Sequence, residues 1–79
     1  MTNEDIEDEL YQICMRINGE FRSDYSGRAM YGRECIAIVV DENWQADKIE
    51  AECKSLHLPD PTWDSMGLGA VAYWPSLSQ

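Results

Sequence analysis

Apolar side chains at Ile6, Leu10, Ile13, Cys14 and Ile17 recur at i, i+4, i+7, i+8 and i+11, which is one buried stripe along an α-helix. Asn3 or Thr2 stands where an N-cap is needed. Glu4, Asp5, Glu7, Asp8 and Glu9 follow, at the end where the helix dipole favours acid. Asn18-Gly19 closes the stripe, with Gly19 the expected left-handed cap. The next segment, 20–25, is polar apart from Phe21 and Tyr25 and reads as a first strand. A glycine-bounded loop from Ser26 to Gly32 separates it from the run 34–40, which is almost wholly apolar and rich in β-branched residues. That run suits a central strand, paired antiparallel to the first across the loop.

Asp41-Glu42-Asn43 offers a second cap, and Ala46, Ile49, Cys53 and Leu56 follow at helical spacing with Asp47, Glu50 and Lys54 on the other side. Pro59 and Pro61 bar further helix. The segment 68–74 reads as a last strand, closed by Pro75. The order is α-β-β-α-β. The expected fold is α+β: a three-stranded, mainly antiparallel sheet with both helices on one face, and room for a short fourth strand around Thr62–Met66. Seventy-nine residues hold a single domain, 1–79.

Charge changes the picture most. Fifteen Asp and Glu oppose six Lys and Arg, a formal net charge of −9. Affinity for nucleic acid comes from Lys and Arg displacing counterions, so direct contact with phosphates is excluded as a leading reading. The same charge suits a protein partner with a basic groove, toward which it would be steered. Acidity that only keeps a small protein soluble is the competing account. Cys14, Cys35 and Cys53 have no CxxC or zinc spacing and sit in apolar patterns, as buried free thiols do. The start Thr2-Asn3-Glu4-Asp5 lacks the apolar stretch of a secretory leader, and the apolar run 35–40 is too short to cross a membrane.

Candidate chemistry is sparse. In the loop Tyr25-Ser-Gly-Arg-Ala-Met-Tyr-Gly-Arg33, glycine amides and arginine forks could cradle an anion, although the P-loop spacing is missing. A hairpin loop with Met30 or Tyr31 tucked onto the core explains the same residues. Asp64-Ser65-Met66-Gly67 is a second glycine loop. It meets the first if the last strand pairs beside the first or second, setting Arg28 near Asp64 as an ion pair, the favoured form, or as opposite walls of a small cleft. A Cys35–His57–Asp64 nucleophilic set is disfavoured, because Cys35 opens a buried strand and His57 ends a helix near its negative pole. One histidine and scattered cysteines supply no metal spacing. Trp74 is expected in the core, and Trp44 and Trp63 partly exposed, as interface anchors often are.

Ser26-Gly27-Arg28-x-Met30-Tyr31-Gly32, Asp64-Ser65-Met66-Gly67 and Tyr73-Trp74-Pro75 together resemble small phage and prophage proteins in which two such glycine loops recur at a similar distance. The likeness spans about residues 20–75, with Ala29 where that family has glycine. The resemblance implies a mobile-element origin, a cytoplasmic location in a bacterial host and no assigned chemistry. With small size and acidity it matches the profile of anti-CRISPR proteins, many of which imitate DNA. Under that reading Glu4, Asp5, Glu7, Asp8, Glu9, Asp47 and Glu50, with Trp63 as an anchor, bind a basic nucleic-acid groove of a CRISPR effector complex. The alternative is a module for a small anionic, nucleotide-like ligand, using Ser26, Gly27, Arg28 and Gly32 with Asp64 and Ser65. Neither reading calls for catalytic residues, a metal, a cofactor, a membrane or direct nucleic-acid contact.

Overall fold

The structure is a computed structural model that describes residues 2–27, 32–67 and 69–77. Its elements are α1 (Asn3–Ile17), β1 (Glu20–Tyr25), β2 (Cys35–Val40), α2 (Asn43–Ser55), β3 (Thr62–Met66) and β4 (Gly69–Trp74), followed by a 3₁₀ turn over Pro75–Leu77. The sheet runs β1-β2-β4-β3 and every neighbouring pair is antiparallel. The fold is therefore α+β. The segment 62–66 is a full member of the sheet, pairing with β4 from Thr62↔Tyr73 to Met66↔Gly69.

Helix α1 begins with a capping box. The Thr2 hydroxyl accepts from the Asp5 amide at 3.2 Å, and the Thr2 amide donates to the Asp5 carboxylate at 3.2 Å. Its C-terminus corrects the sequence expectation. Asn18, not Gly19, takes the left-handed conformation (φ 60, ψ 40), and the Gly19 amide donates to the Cys14 carbonyl at 3.0 Å. Gly19 serves another need: a Cβ there would stand 2.9 Å from the Ile38 methyl, so its missing side chain lets the turn close on β2.

One buried side chain joins the two helices. Gln45 accepts the amides of Asp41 and Glu42 at 2.9 Å each, opening α2, and its amide nitrogen donates to the Ile17 carbonyl at 2.8 Å. It is the one buried polar side chain among the described residues, and its bonds to the Glu42 amide and the Ile17 carbonyl serve helix ends that would otherwise lack partners.

The core lies between the helices and one face of the sheet. Ile36, Ile38 and Val40 of β2 and Ala72 and Trp74 of β4 meet Leu10, Ile13, Cys14 and Ile17 of α1 and Ile49 and Cys53 of α2. Trp74 is fully buried as expected, and its indole N–H donates to the Pro59 carbonyl at 2.9 Å. The opposite face is also dry at its centre: Cys35, Ala37, Val71 and Tyr73 are buried there, with Tyr25 and Val39 packed against them. This second cluster explains why β2 is apolar on both of its faces.

A bulge sorts the aromatics of β1. Arg22 pairs with Ala37, yet Tyr25 pairs with Cys35, so three steps on β1 oppose two on β2. Phe21 thereby joins the helix-side core, while Tyr25 turns to the other face. Among the described residues, no helix is long and apolar enough to cross a membrane.

Candidate functional site

The carboxylates expected to form one binding face fall into separate groups. At about 3.6 residues per turn, Glu4 and Asp8 share a stripe, whereas Asp5 and Glu9 share the face of Arg16. That second face looks toward α2, because Arg16 donates to Glu52 at 3.0 Å and Lys48 reaches the same carboxylate at 3.6 Å. Glu4, Asp5 and Asp8 are exposed, and Glu7 and Glu9 are half-buried. Asp5 is also spent on the capping box.

Asp47 and Glu50 are exposed on α2, separated from the acidic end of α1 by the Arg16–Glu52–Lys48 seam. Glu50 and Trp63 nevertheless meet, since both line a shallow cleft of ≈ 360 Å³ between α2 and β3, with Lys54, Asp60 and Pro61. Trp63 is half-buried there, against the core, and Trp44 is 53% exposed with its indole N–H donating to the Glu42 carboxylate. Asp60 was not singled out by sequence reasoning, because an acid between two prolines carries no periodic signal.

Among the described residues, Arg16 and Lys48 are paired with Glu52, and Arg22 donates to Asp24 at 3.2 Å and to Glu20 at 3.4 Å. Such exposed pairs add little stability, but they leave the remaining acid less opposed.

The second candidate centre lies on the sheet face away from the helices. The Tyr25 hydroxyl donates to the Asp64 carboxylate at 2.7 Å, and the Tyr25 and Tyr73 rings lie 5.2 Å apart. A Cβ on Gly27 would come within 2.5 Å of the Tyr73 ring, so the chain can cross that ring only as glycine. Tyr25 and Gly27 at the start of the first glycine segment are thus brought beside Tyr73 and Asp64. Asp64, Ser65 and Met66, expected in a loop, belong to β3 because they pair with β4. Burial, then the bond to Asp64, pushes the Tyr25 phenol up to about 12. Ser26 and Ser65 are exposed, and Gly32 is exposed with φ 87. Arg28, Met30 and Tyr31 lie outside the described residues. Among the described residues Asp64 accepts from Tyr25, and the expected pairing of Arg28 with Asp64 lies outside them.

The Cys35–His57–Asp64 set is not assembled. Cys35 is sealed in the cluster on the far face, and His57 is exposed in the left-handed turn after α2, with φ 57. Burial raises the Cys35 thiol, the opposite of what a nucleophile needs. Cys14 and Cys53 are also buried and free, and burial, with Asp60 next, lifts Cys53 to about 11. No group of three or more His, Cys, Asp or Glu among the described residues is placed to hold a metal ion. Comparison of the chain with protein-family models, with curated proteins and with solved structures finds no match.

Proposed function

We propose that this protein binds a basic, nucleic-acid-accepting surface of a partner protein, as a mobile-element inhibitor of the anti-CRISPR kind. The observation that carries the reading is the outer end of α1. Glu4 and Asp8 project on one exposed stripe, beside a chain of net charge −9 in which Arg16, Arg22 and Lys48 are already paired. Carboxylates so placed occupy Lys and Arg sites meant for phosphate, and the resulting complex weakens as salt screens it.

The test is binding of the purified protein to purified CRISPR effector complexes at about 50 and 300 mM salt, either side of the physiological screening length. Glu4→Lys with Asp8→Lys is the informative variant, since reversing Asp5 would also remove the cap of α1. Affinity is expected to fall about tenfold or more in the double variant, and steeply with salt in the parent. Undiminished inhibition by the double variant ends the proposal.

A second reading, a site for a small anionic ligand between the two glycine segments, draws support from the Tyr25–Asp64 bond and the close approach of Gly27 to Tyr73. The Asp64 carboxylate at that place counts against an anion. Thermal-shift screening with nucleotides separates the two readings, because a ligand of the native state raises the melting temperature. Under this reading Arg28→Ala abolishes the shift, and Glu4 and Asp8 are dispensable.

A further inference from the structure

Two large apolar side chains on α1 face solvent instead of the core: Tyr11 is 44% exposed and Met15 60%. They lie one turn apart, at i and i+4, and continue the stripe of Glu4 and Asp8, so that positions 4, 8, 11 and 15 form a single line along the helix. Tyr11 is held in place, its ring standing edge-on to half-buried Phe21 of β1 with centroids 5.2 Å apart and planes at 86°. Single exposed apolar residues need no explanation. A fixed aromatic beside a flexible methionine, over a second ring and in line with two carboxylates, is the composition of an interface core with a charged rim.

We infer that the Glu4–Asp8–Tyr11–Met15 stripe is the contact face for a partner protein that presents Lys or Arg beside an apolar pocket. The inference rests on the proposed function and specifies its surface. Charge decides the occupant. A second copy of a chain carrying −9 would be repelled, whereas a basic surface is attracted and its apolar pocket receives Tyr11 and Met15. The two halves of the stripe divide the labour: the carboxylates steer and are screened by salt, while the apolar pair holds the complex when salt is high. Trp44, the other exposed large apolar side chain among the described residues, lies outside this line, with its indole bonded to Glu42.

Two synthetic probes of equal charge test the inference: oligolysine, and an amphipathic helical peptide of lysine and leucine. Binding of each is measured by fluorescence anisotropy at about 50 and 300 mM salt. The expected result is that at high salt the lysine–leucine peptide binds about tenfold more tightly than oligolysine. Met15→Ser and Tyr11→Ser should erase that excess and leave oligolysine binding unchanged. Met15→Ser is the cleaner variant, because Tyr11→Ser also removes the contact with Phe21, and melting curves establish that both remain folded. An excess that persists in both variants overturns the stripe and leaves the charged-surface reading standing. Failure of both peptides to bind even at low salt overturns that reading, and the stripe with it.

Discussion

At the residue scale, Gln45 and Tyr25 carry the most consequence per atom. Gln45→Leu keeps the volume but leaves the Ile17 carbonyl and the amides of Asp41 and Glu42 without their partner. The expected cost is about 2 kcal/mol, read as a lower urea midpoint with an unchanged slope. Tyr25→Phe removes one bond to a carboxylate and should cost about 1–2 kcal/mol near neutral pH. Tyr25 also gives stability a pH dependence of definite sign. Its folded phenol ionises at about 12, above an unfolded value of about 10. The folded state thus holds the proton more tightly, so this contribution is complete below about pH 10 and disappears as pH rises toward 12. Cys53, raised to about 11 from 9.0, adds a loss that begins earlier, near pH 9. Urea unfolding at successive alkaline pH values should show a decline beginning near pH 9, with a shallower high-pH limb in Tyr25→Phe. A flat profile through pH 11 would contradict the burial of both groups.

At the scale of elements, the ends of α1 make the sharpest test. Asn18 stands at φ 60, where a Cβ is strained but asparagine is tolerated. Asn18→Ala should cost about 1 kcal/mol, whereas Asn18→Gly should be neutral or slightly stabilising, as thermal unfolding of the pair would show. That the left-handed residue is Asn18 could not be read from the sequence, since Asn-Gly satisfies the cap rule at either position. The 2.9 Å approach that demands glycine at position 19 comes from Ile38, a distant partner. The same limit recurs in β1. Phe21 and Tyr25 are an even number apart and read as one face, but the bulge between Arg22 and Tyr25 sends them to opposite layers. Local spacing did give both helices, the strand 20–25 and the buried strand read at 34–40, which the structure starts at Cys35; the burial of Trp74 followed from its place at a strand end. The surfaces were harder to read. The acidic residues of both helices were visible, but the seam of Arg16, Glu52 and Lys48 that stands between them depends on how two helices pack. The bond from the Tyr25 hydroxyl to Asp64 could not be read from the sequence, because it depends on the bulge that turns Tyr25 to that face.

At the scale of the whole molecule, net charge and size together set a testable response to salt. The structure measures 33 × 29 × 17 Å and the chain carries −9. At about 10 mM salt the screening length is about 30 Å, as long as the molecule, so every carboxylate repels every other; at about 150 mM it is about 8 Å and only neighbours interact. Added sodium chloride should therefore raise the melting temperature up to about 150 mM and change it little beyond. Glu4→Lys with Asp8→Lys reduces the net negative charge by four and should flatten that rise, which differential scanning calorimetry at several salt concentrations would measure. The same ions act in the opposite direction on the proposed complex, because they screen the attraction of Glu4 and Asp8 for a basic partner. One titration then separates the two roles of the acid. If it only keeps the protein soluble, salt stabilises the chain and the double variant inhibits as well as the parent. If it binds, the variant loses its partner while its salt dependence of melting flattens as in the other case.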